Sequence, residues 1–305
     1  MSDVIDGQTR LLGVMGWPVE HSLSPPMHNA VLERLGLNCR YVPLPVLPSR
    51  ISQAVEGVAS LGFQGVNVTV PHKQRVMAAL DELTPEARAV GAVNTIVITR
   101  DQNSDMHLSG HNTDVAGFTD SLRAGGFDPA RSRSSLVVGA GGAARAVVYA
   151  LLMAGSGRVT VINRTAVRAE RLVADLSFAG PGRLDAVALE PRQLVESAQK
   201  ADLLVNTTTL GMWPHIESSI WPEDLPIPAS LTVYDLVYNP LETRLLGQAR
   251  RSGARAIDGL GMLARQGALA LAMWLDEPLD VSWAAGQMRE VCARRLRAQA
   301  ERRQS

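Results

Sequence analysis

The stretch LVVGAGGAARAVV, residues 136–148, predicts a buried strand, a glycine loop and the start of a helix. Gly139, Gly141 and Ala144 stand in the spacing G-x-G-x-x-A at this junction. The first glycine permits a tight turn, the second lets the backbone approach a pyrophosphate, and the small third residue lets helix and strand pack closely. Free N–H groups at the helix start can then bind the anion. The stretch therefore predicts a dinucleotide-binding domain.

Strand and helix signals alternate on both sides of this stretch. After it come the predicted strands RVTVIN and ADLLVNTT, with the predicted helix AVRAERLVADL between them. Near-continuous Val and Leu runs of this length are typical of strands that are covered on both faces. The first 115 or so residues alternate in the same way, with strands in RLLGVMG, CRYVPLPV, GVNVTV and AVNTIVIT and helices near 26–35, 51–60 and 74–80.

A length of 305 residues allows two domains. We therefore predict a two-domain α/β protein: an N-terminal, mainly parallel α/β substrate domain and a Rossmann-type dinucleotide-binding domain. The last two predicted helices, near 262–275 and 283–299, are expected to return to the first lobe. The predicted boundaries are 1–115 with 260–305 for the first domain and 116–259 for the second.

The composition excludes several classes of partner. Lys plus Arg equals Asp plus Glu at 30 each, and only 4% of residues are aromatic, so neither charge nor stacking favours nucleic acid. The only cysteines, Cys39 and Cys292, stand in no disulfide or metal-ligand spacing, and no metal site is predicted. Acidic residues near the N-terminus argue against a signal peptide, and no apolar run reaches membrane-spanning length. We expect a cytoplasmic protein without a membrane partner.

The second strand of the dinucleotide-binding domain indicates which cofactor is bound. A free ribose 2′-hydroxyl calls for an acidic residue at the end of this strand. Here the strand ends in Asn163, Arg164 and Thr165, followed by Arg168, and no carboxylate precedes Glu170. A guanidinium and a hydroxyl suit a 2′-phosphate, which favours NADP over NAD. The alternative is a solvated arginine at a helix start, but a cation is disfavoured there unless an anion lies beside it.

Polar side chains mark the strand ends of the first domain. Singly, Ser24 has the structural interpretation of a helix cap, and 112–114 that of a turn. Together they predict a site, because ligands of open α/β sheets bind beyond the carboxyl ends of the strands. Hydroxyls and amides suit a small polyhydroxylated acid, and Ser22 and Ser24 can donate to its carboxylate. The set is Ser22, Ser24, Asn67, Thr69, Lys73, Asn94, Thr95, Asn112, Thr113 and Asp114.

Lys73 and Asp114 are predicted to form an acid/base pair beside a nicotinamide. Hydride transfer to a carbonyl leaves an alkoxide that needs a proton, and the Lys73 ammonium can supply it. A carboxylate at Asp114 would orient that ammonium. In this interpretation, Pro71 stops the strand GVNVTV so that Lys73 can reach over the cleft.

The motifs GWPVEHSLSPPMHN, GVNVTVPHK, GAVNT, GHNTDVAGF, GAGGAARA, NRT, NTTTLGM, YDLVYNPLET and DGLGMLARQGA together closely resemble the shikimate dehydrogenase family. They run nearly end to end in the expected order. The resemblance implies reversible, NADPH-dependent reduction of 3-dehydroshikimate to shikimate in the chorismate and aromatic amino acid pathway. It also implies a small-molecule substrate. We expect either a monomer or a homodimer, and the sequence does not distinguish them.

The resemblance assigns roles to individual residues. Lys73 and Asp114 would be the catalytic pair, with Lys73 the favoured acid/base. Substrate contacts would come from Ser22, Ser24, Asn67, Thr69, Lys73, Asn94, Asp114, Tyr238 and Gln266. Cofactor contacts would come from Gly139, Ala140, Gly141, Gly142, Ala143, Asn163, Arg164, Thr165, Arg168, Leu236 and Gly259.

Three alternatives remain. The first is an NAD-using quinate/shikimate dehydrogenase, whose relatives tend to carry an acidic residue near NRT, where this chain has none. The second is a sensor that binds NADP without turnover, although a sensor has no need for the Lys73 and Asp114 pair. The third is a fold whose cleft polarity is purely structural. Residues 99–114 are expected to form a surface loop without function, and 213–228 a lid-like or packing loop.

Overall fold

The computed structural model describes residues 5–102 and 105–304, with side chains up to 302. The chain forms two compact units. The first comprises the residues up to Thr113 together with Ala264–Cys292. The second comprises Asp114–Leu263 together with the residues from Ala293 onward.

The first unit contains a mixed sheet with the strand order β2-β1-β3-β5-β6-β4. The neighbours β2/β1, β1/β3 and β6/β4 are parallel, whereas β5 is antiparallel to both β3 and β6. Three of the five pairings are therefore parallel. The elements in chain order are β1 (Arg10–Gly16), α1 (Ser24–Arg34), β2 (Cys39–Pro45), α2 (Ile51–Ser60), β3 (Phe63–Val68), β4 (Glu82–Leu83), α3 (Pro85–Val90), β5 (Thr95–Arg100) and β6 (Met106–His111).

Three local predictions in this unit were wrong. Strand β3 ends at Val68, two residues before the end of the predicted strand GVNVTV, so Thr69 already lies in the following loop. Residues 75–79 form a 3₁₀ helix rather than part of an α-helix. Residues 106–111, predicted as surface loop, form β6, because they pair antiparallel with the whole of β5. Met106 and Leu108 alternate with His107 and Ser109 and pack against the core of this unit, which is the two-residue period of a strand. Residues 103 and 104 of that predicted loop lie outside the described residues.

The second unit contains an all-parallel sheet with the strand order β12-β11-β10-β7-β8-β9. Counted within the unit from β9, this is the order 3-2-1-4-5-6 of a dinucleotide-binding sheet, and the order reverses between β7 and β10. The elements are α4 (Asp114–Ala124), β7 (Ser135–Val138), α5 (Gly142–Met153), β8 (Arg158–Asn163), α6 (Ala166–Leu176), β9 (Arg183–Ala188), α7 (Pro191–Ala198), β10 (Leu203–Asn206), β11 (Thr232–Asp235), α8 (Arg244–Arg251) and β12 (Arg255–Asp258).

Two C-terminal helices follow, α9 (Leu260–Trp274) and α10 (Val281–Gln304). Their residues between 264 and 292 belong to the first unit, as predicted. The Trp274 indole donates to the carbonyl oxygen of Ile96 at 2.9 Å, and a side chain at Gly65 would clash with that indole. Gly267 packs closely against Met27 of α1, so α9 covers both the sheet and α1.

The segment between β10 and β11 packs into the second unit. Ile220, Trp221 and Ile227 are buried in the same hydrophobic cluster as Val233 of β11. The Trp221 indole also donates to the carbonyl oxygen of Leu225 at 2.8 Å. Among residues 5–102 and 105–304, no helix has both the length and the apolar character needed to cross a membrane.

Candidate functional site

The glycine loop is tied to the strand across the point where the strand order reverses. Gly139 follows β7 with a φ of 120°, a conformation that L side chains rarely adopt. A Cβ at Gly139 would collide with the Thr207 hydroxyl oxygen. Thr207 donates to the Val138 carbonyl oxygen from both its backbone N–H (2.9 Å) and its hydroxyl (2.7 Å). The first glycine thus makes the turn and permits the close approach of the loop after β10.

The start of α5 has the features of an anion site. Gly141 precedes the helix as its N-cap, where no side chain caps the helix, and no acidic residue lies in its first turn. A Cβ at Gly141 would meet nothing within 4 Å, so the backbone there faces open space. Ala144 is fully buried where the helix packs on the sheet. Ala140, Gly142 and Ala143 are half-buried around the loop. These donors and this space fit a pyrophosphate.

The loop after β8 carries exposed cationic and hydroxyl groups. Arg164, Thr165 and Arg168 are exposed, and the Asn163 side-chain amide donates to the Thr165 carbonyl oxygen at 2.9 Å. Thr165 is the N-cap residue of α6, but its side chain makes no capping hydrogen bond, and no acid lies in the first helical turn. The chemistry of this loop fits a 2′-phosphate better than a free ribose hydroxyl.

Leu236 and Gly259 lie against each other just beyond β11 and β12. A Cβ at Gly259 would collide with the carbonyl oxygen of Leu236, and the Leu236 N–H donates to the Asn206 carbonyl oxygen at 2.9 Å. Both predicted cofactor residues therefore lie at the carboxyl edge of the parallel sheet, as the glycine loop does.

The structure adds Asp235, which the sequence analysis did not select. This fully buried carboxylate accepts from the Asn206 amide (2.9 Å), the Thr243 hydroxyl (2.7 Å) and the Val237 N–H (3.0 Å). Burial, which outweighs these hydrogen bonds, raises the pKa of Asp235 to about 6. The carboxylate joins the loop after β10 to the loop after β11. A carboxylate ending the apolar strand TVYD was the available signal.

In the first unit, Asn94 is the centre of a buried polar cluster. Its side-chain amide donates to Thr113 Oγ1 at 2.9 Å and lies 3.4 Å from Gln266 Oε1. Its side-chain carbonyl oxygen accepts from the Thr113 N–H at 2.8 Å and from Thr95 Oγ1 at 3.1 Å. The structure therefore brings the predicted substrate residues Asn94 and Gln266 together with Thr95 and Thr113.

Asn67 extends this cluster towards α1. Its amide nitrogen donates to the Asn94 backbone carbonyl oxygen and to Thr95 Oγ1, both at 3.1 Å, and its Oδ1 accepts from the Tyr41 hydroxyl at 2.7 Å. The Ser24 side chain lies close enough to the same phenol to lower its pKa. Tyr41 was missed because a tyrosine in a strand is ordinary for a sheet.

Ser22 and Ser24 lie together at the start of α1. The Ser22 hydroxyl oxygen accepts from the Ser24 N–H at 3.2 Å, and the Ser24 side chain is buried at the first turn. Through the Ser24 contact with the phenol, this pair is connected to the Asn94 cluster. Three predicted substrate residues are thus linked by hydrogen bonds, namely Asn67, Asn94 and Gln266, and Ser24 lies beside the phenol that bonds to Asn67.

Thr69 and Lys73 lie in the loop after β3. The Thr69 N–H donates to the Met15 carbonyl oxygen at 2.9 Å, and the Lys73 carbonyl oxygen accepts from the Val93 N–H at 2.8 Å. Lys73 is half-buried, whereas Asp114 is buried as the first residue of α4 in the second unit. The pairing of Lys73 with Asp114 stays a prediction, and so does substrate contact by Tyr238, a half-buried residue of the second unit.

Two protein-family models match separate segments of the chain. Residues 14–96 match the family described as shikimate dehydrogenase substrate binding domain, and residues 123–212 match the family described as shikimate / quinate 5-dehydrogenase. The chain is 46% identical over 278 residues to shikimate dehydrogenase (NADP(+)) of Moorella thermoacetica, covering 91% of this chain and 92% of that one.

Solved structures give the same result. Shikimate 5-dehydrogenase of Thermus thermophilus, in complex with NADP(H) and shikimate, matches with a TM-score of 0.78 and 40% identity over 92% of this chain and 99% of that one. Quinate dehydrogenase of Corynebacterium glutamicum, in complex with NAD, matches with a TM-score of 0.80 and 34% identity over 93% of this chain and 98% of that one. At this identity and coverage, the chain belongs to the shikimate dehydrogenase family.

Proposed function

We propose that the chain catalyses the reversible reduction of 3-dehydroshikimate to shikimate with NADPH, in the pathway to chorismate and the aromatic amino acids. The observation that carries this proposal is the buried polar cluster of Asn67, Asn94 and Gln266, of which Asn67 and Asn94 lie in the segment that matches the substrate-binding family. A buried set of hydroxyls and amides suits a ligand with several hydroxyl groups and one carboxylate.

The substrate domain is proposed to comprise residues 1–115 and 260–305. Ser22 and Ser24, at the first turn of α1, bind the substrate carboxylate in this proposal. Asn67, Thr69, Asn94 and Gln266 bind the ring hydroxyls, with Tyr238 contributing from the second unit.

The NADP-binding domain is proposed to comprise residues 116–259. The glycine loop from Gly139 to Ala143 and the free N–H groups of α5 hold the pyrophosphate, while Asn163, Arg164, Thr165 and Arg168 hold the 2′-phosphate. Leu236 and Gly259 would lie near the nicotinamide. When bound, NADPH would supply a hydride to the substrate carbonyl, and NADP⁺ would accept one in the reverse direction.

Lys73 carries the proton in this proposal. Its ammonium donates to the carbonyl oxygen of 3-dehydroshikimate as negative charge develops there, and it takes the proton back from the hydroxyl when shikimate is oxidised. Asp114 orients the ammonium and stabilises its charge. The protein's groups thus deliver the proton at the oxygen while the cofactor exchanges a hydride at carbon.

The test is the absorbance of NADPH formed by the purified protein from shikimate and NADP⁺. We expect a kcat on the order of 10 s⁻¹, which is the median value for enzymes. Absence of NADPH formation, with the protein folded and cofactor bound, would overturn the proposal and favour a sensor that binds NADP without turnover.

The nearest rival is a quinate/shikimate dehydrogenase that uses NAD, because one matching family carries both substrates in its description. The same assay with shikimate or quinate and with NADP⁺ or NAD⁺ separates the two. We expect the highest kcat/KM with shikimate and NADP⁺, whereas a strong preference for NAD⁺ would overturn the cofactor assignment. Sedimentation of the active protein distinguishes a monomer from a homodimer.

A further inference from the structure

Tyr41 is held rigidly in β2 of the first unit. Its backbone N–H donates to Asn29 Oδ1 at 2.9 Å, and its carbonyl oxygen accepts from Asn29 Nδ2 at 2.8 Å. Its ring stacks on the His28 imidazole with centroids 4.0 Å apart and 10° between the planes, and it lies 6.2 Å from the Trp274 ring. The side chain is 1% exposed. Backbone and ring are therefore both fixed before any ligand binds.

The phenol hydroxyl donates to Asn67 Oδ1 at 2.7 Å, and the Ser24 side chain lies near the same group. Burial raises the pKa of Tyr41 well above its ordinary value, while the nearby Ser24 side chain lowers it. The phenol consequently keeps its proton at neutral pH and stays a donor.

The Asn94 backbone carbonyl oxygen determines the orientation of the Asn67 amide, because it can only accept. Nδ2 therefore faces this oxygen and Thr95 Oγ1, at 3.1 Å each, and Oδ1 faces the phenol. The reversed amide would place its oxygen against the Asn94 carbonyl oxygen, where two acceptors meet. The phenol, which can donate or accept, donates to the Oδ1 that this orientation presents and gives it a partner in a buried site, where an unmatched polar contact is costly.

We propose that Tyr41 is a positioning residue for substrate binding, whose hydroxyl holds Asn67 in the arrangement that, with Ser24, receives the substrate's polar groups. This inference rests on the proposed function, because it takes Asn67 and Ser24 as substrate contacts. Pre-arranged groups lower the cost of ordering the site when a ligand binds, so the effect falls on affinity rather than on the chemical step.

The test is Tyr41→Phe, which keeps the ring and removes only the hydroxyl. We expect the KM for shikimate to rise about 10-fold, while kcat stays within about 3-fold and the KM for NADP⁺ is unchanged. The matched control is Tyr234→Phe, since Tyr234 is another buried tyrosine whose hydroxyl donates at 2.8 Å, to Ser121 Oγ in the second unit. The control is expected to leave the KM for shikimate unchanged.

A double-mutant cycle tests whether Tyr41 acts through Asn67. In an Asn67→Ala background, Tyr41→Phe is expected to change the KM for shikimate by less than about 2-fold, because the amide that accepts its hydrogen bond is gone. An equal effect in both backgrounds would overturn action through Asn67.

The outcomes separate the inference from the proposed function. If the wild-type protein oxidises shikimate and Tyr41→Phe leaves its KM unchanged, the inference alone fails. If the wild-type protein folds and does not oxidise shikimate, both fail. A third outcome is a Tyr41→Phe variant with a lowered melting temperature, a lowered kcat and equal changes in the KM values for shikimate and NADP⁺. In that case the hydroxyl serves folding, and the positioning role is overturned.

Discussion

The imidazole Nε2 of His72 lies 2.8 Å from the carbonyl oxygen of Val46, the first residue beyond β2. Because that oxygen can only accept, Nε2 carries the hydrogen, and the buried Nδ1 has no hydrogen-bond partner. Burial lowers the pKa of His72, which keeps the ring neutral. The residue before Lys73 is thereby bonded to the residue that follows β2, on the far side of β1 from β3.

The hydrogen bond from His72 to Val46 predicts different effects on turnover for two substitutions of His72 whose side chains are of similar size. His72→Met leaves the Val46 oxygen without its donor, whereas the amide nitrogen of His72→Gln can take the place of Nε2. Since Lys73 is the neighbouring residue, we expect the Met variant to lose about 10-fold in kcat and the Gln variant to recover most of it. Steady-state kinetics of the two variants at matched folded fraction check this, and equal loss in both would contradict it.

Removing the proposed proton donor should affect turnover far more than binding. Lys73→Ala is expected to lower kcat by about 10²–10⁴-fold, the range for general acid–base catalysis, and to leave shikimate affinity within a few-fold. Turnover is measured as the rate of NADPH formation, and the affinity for shikimate is measured by calorimetric titration. Near-normal turnover would show that Lys73 is not the acid/base.

Two glycines of the same loop are expected to respond in opposite ways. Gly139→Ala forces a side chain into a φ of 120° and against Thr207, so it should lower the melting temperature. Gly141→Ala meets no neighbour, so it should keep the melting temperature while raising the KM for NADP⁺ by about 10-fold. Thermal unfolding and cofactor kinetics distinguish them. A Gly141→Ala protein with an unchanged KM for NADP⁺ would place the pyrophosphate elsewhere.

The cofactor preference is expected to depend on Arg164. Arg164→Ser should raise the KM for NADP⁺ by about 10-fold or more and leave that for NAD⁺ within a few-fold, because only NADP⁺ carries the 2′-phosphate. Arg171→Ser is the matched control, since Arg171 is exposed on the helix that follows, beyond its first turn. Equal losses with both cofactors would mean that Arg164 does not contact the 2′-phosphate.

Asp235 predicts a pH dependence of stability. Its pKa is about 6 in the folded protein, against an ordinary 3.8. A raised carboxyl pKa means that the folded state holds the proton more tightly, so its contribution is complete below about pH 4 and is lost as pH rises through about 6. The loss should be on the order of 3 kcal/mol in the free energy of unfolding.

This contribution is measured by urea unfolding of the wild type and of Asp235→Asn at pH values of about 4, 5, 6 and 7, a series that spans the two pKa values. We expect the wild type to lose stability relative to the variant between about pH 4 and about pH 6, because the amide of the variant does not titrate. Parallel curves for the two proteins would contradict a raised pKa.

Strongly patterned elements could be predicted from the sequence almost to the residue. Helices α2 and α6 begin and end where their apolar repeats and flanking residues indicate. Strand β9 and helices α7 and α8 were missed because they are only 6, 8 and 8 residues long, so each offers few apolar residues from which to recognise a period. The prediction for β6 was wrong for the same reason, since its short alternation of Met106 and Leu108 was taken as loop, whereas it pairs with β5.

Some residues of the candidate site could likewise be predicted from the sequence, and others could not. Its members at strand ends, such as Asn94 and Gly139, could be found because their residue types are unusual there. Tyr41 and His72 could not, because a buried tyrosine in a strand and a histidine beside a lysine have many ordinary roles. Their part in the site depends on contacts with residues 26 positions away in the chain, Asn67 and Val46.

The bond from the Thr207 hydroxyl to the Val138 oxygen joins residues 69 positions apart. A nascent chain that has emerged only as far as α7 already contains the whole glycine motif, yet it lacks the strand and the threonine that hold the loop. We therefore expect binding competence for the dinucleotide only after the chain has been made beyond Thr207, when strands from both halves of the parallel sheet exist. A truncated polypeptide that ends before β10 would carry the motif and still fail to retain the nucleotide.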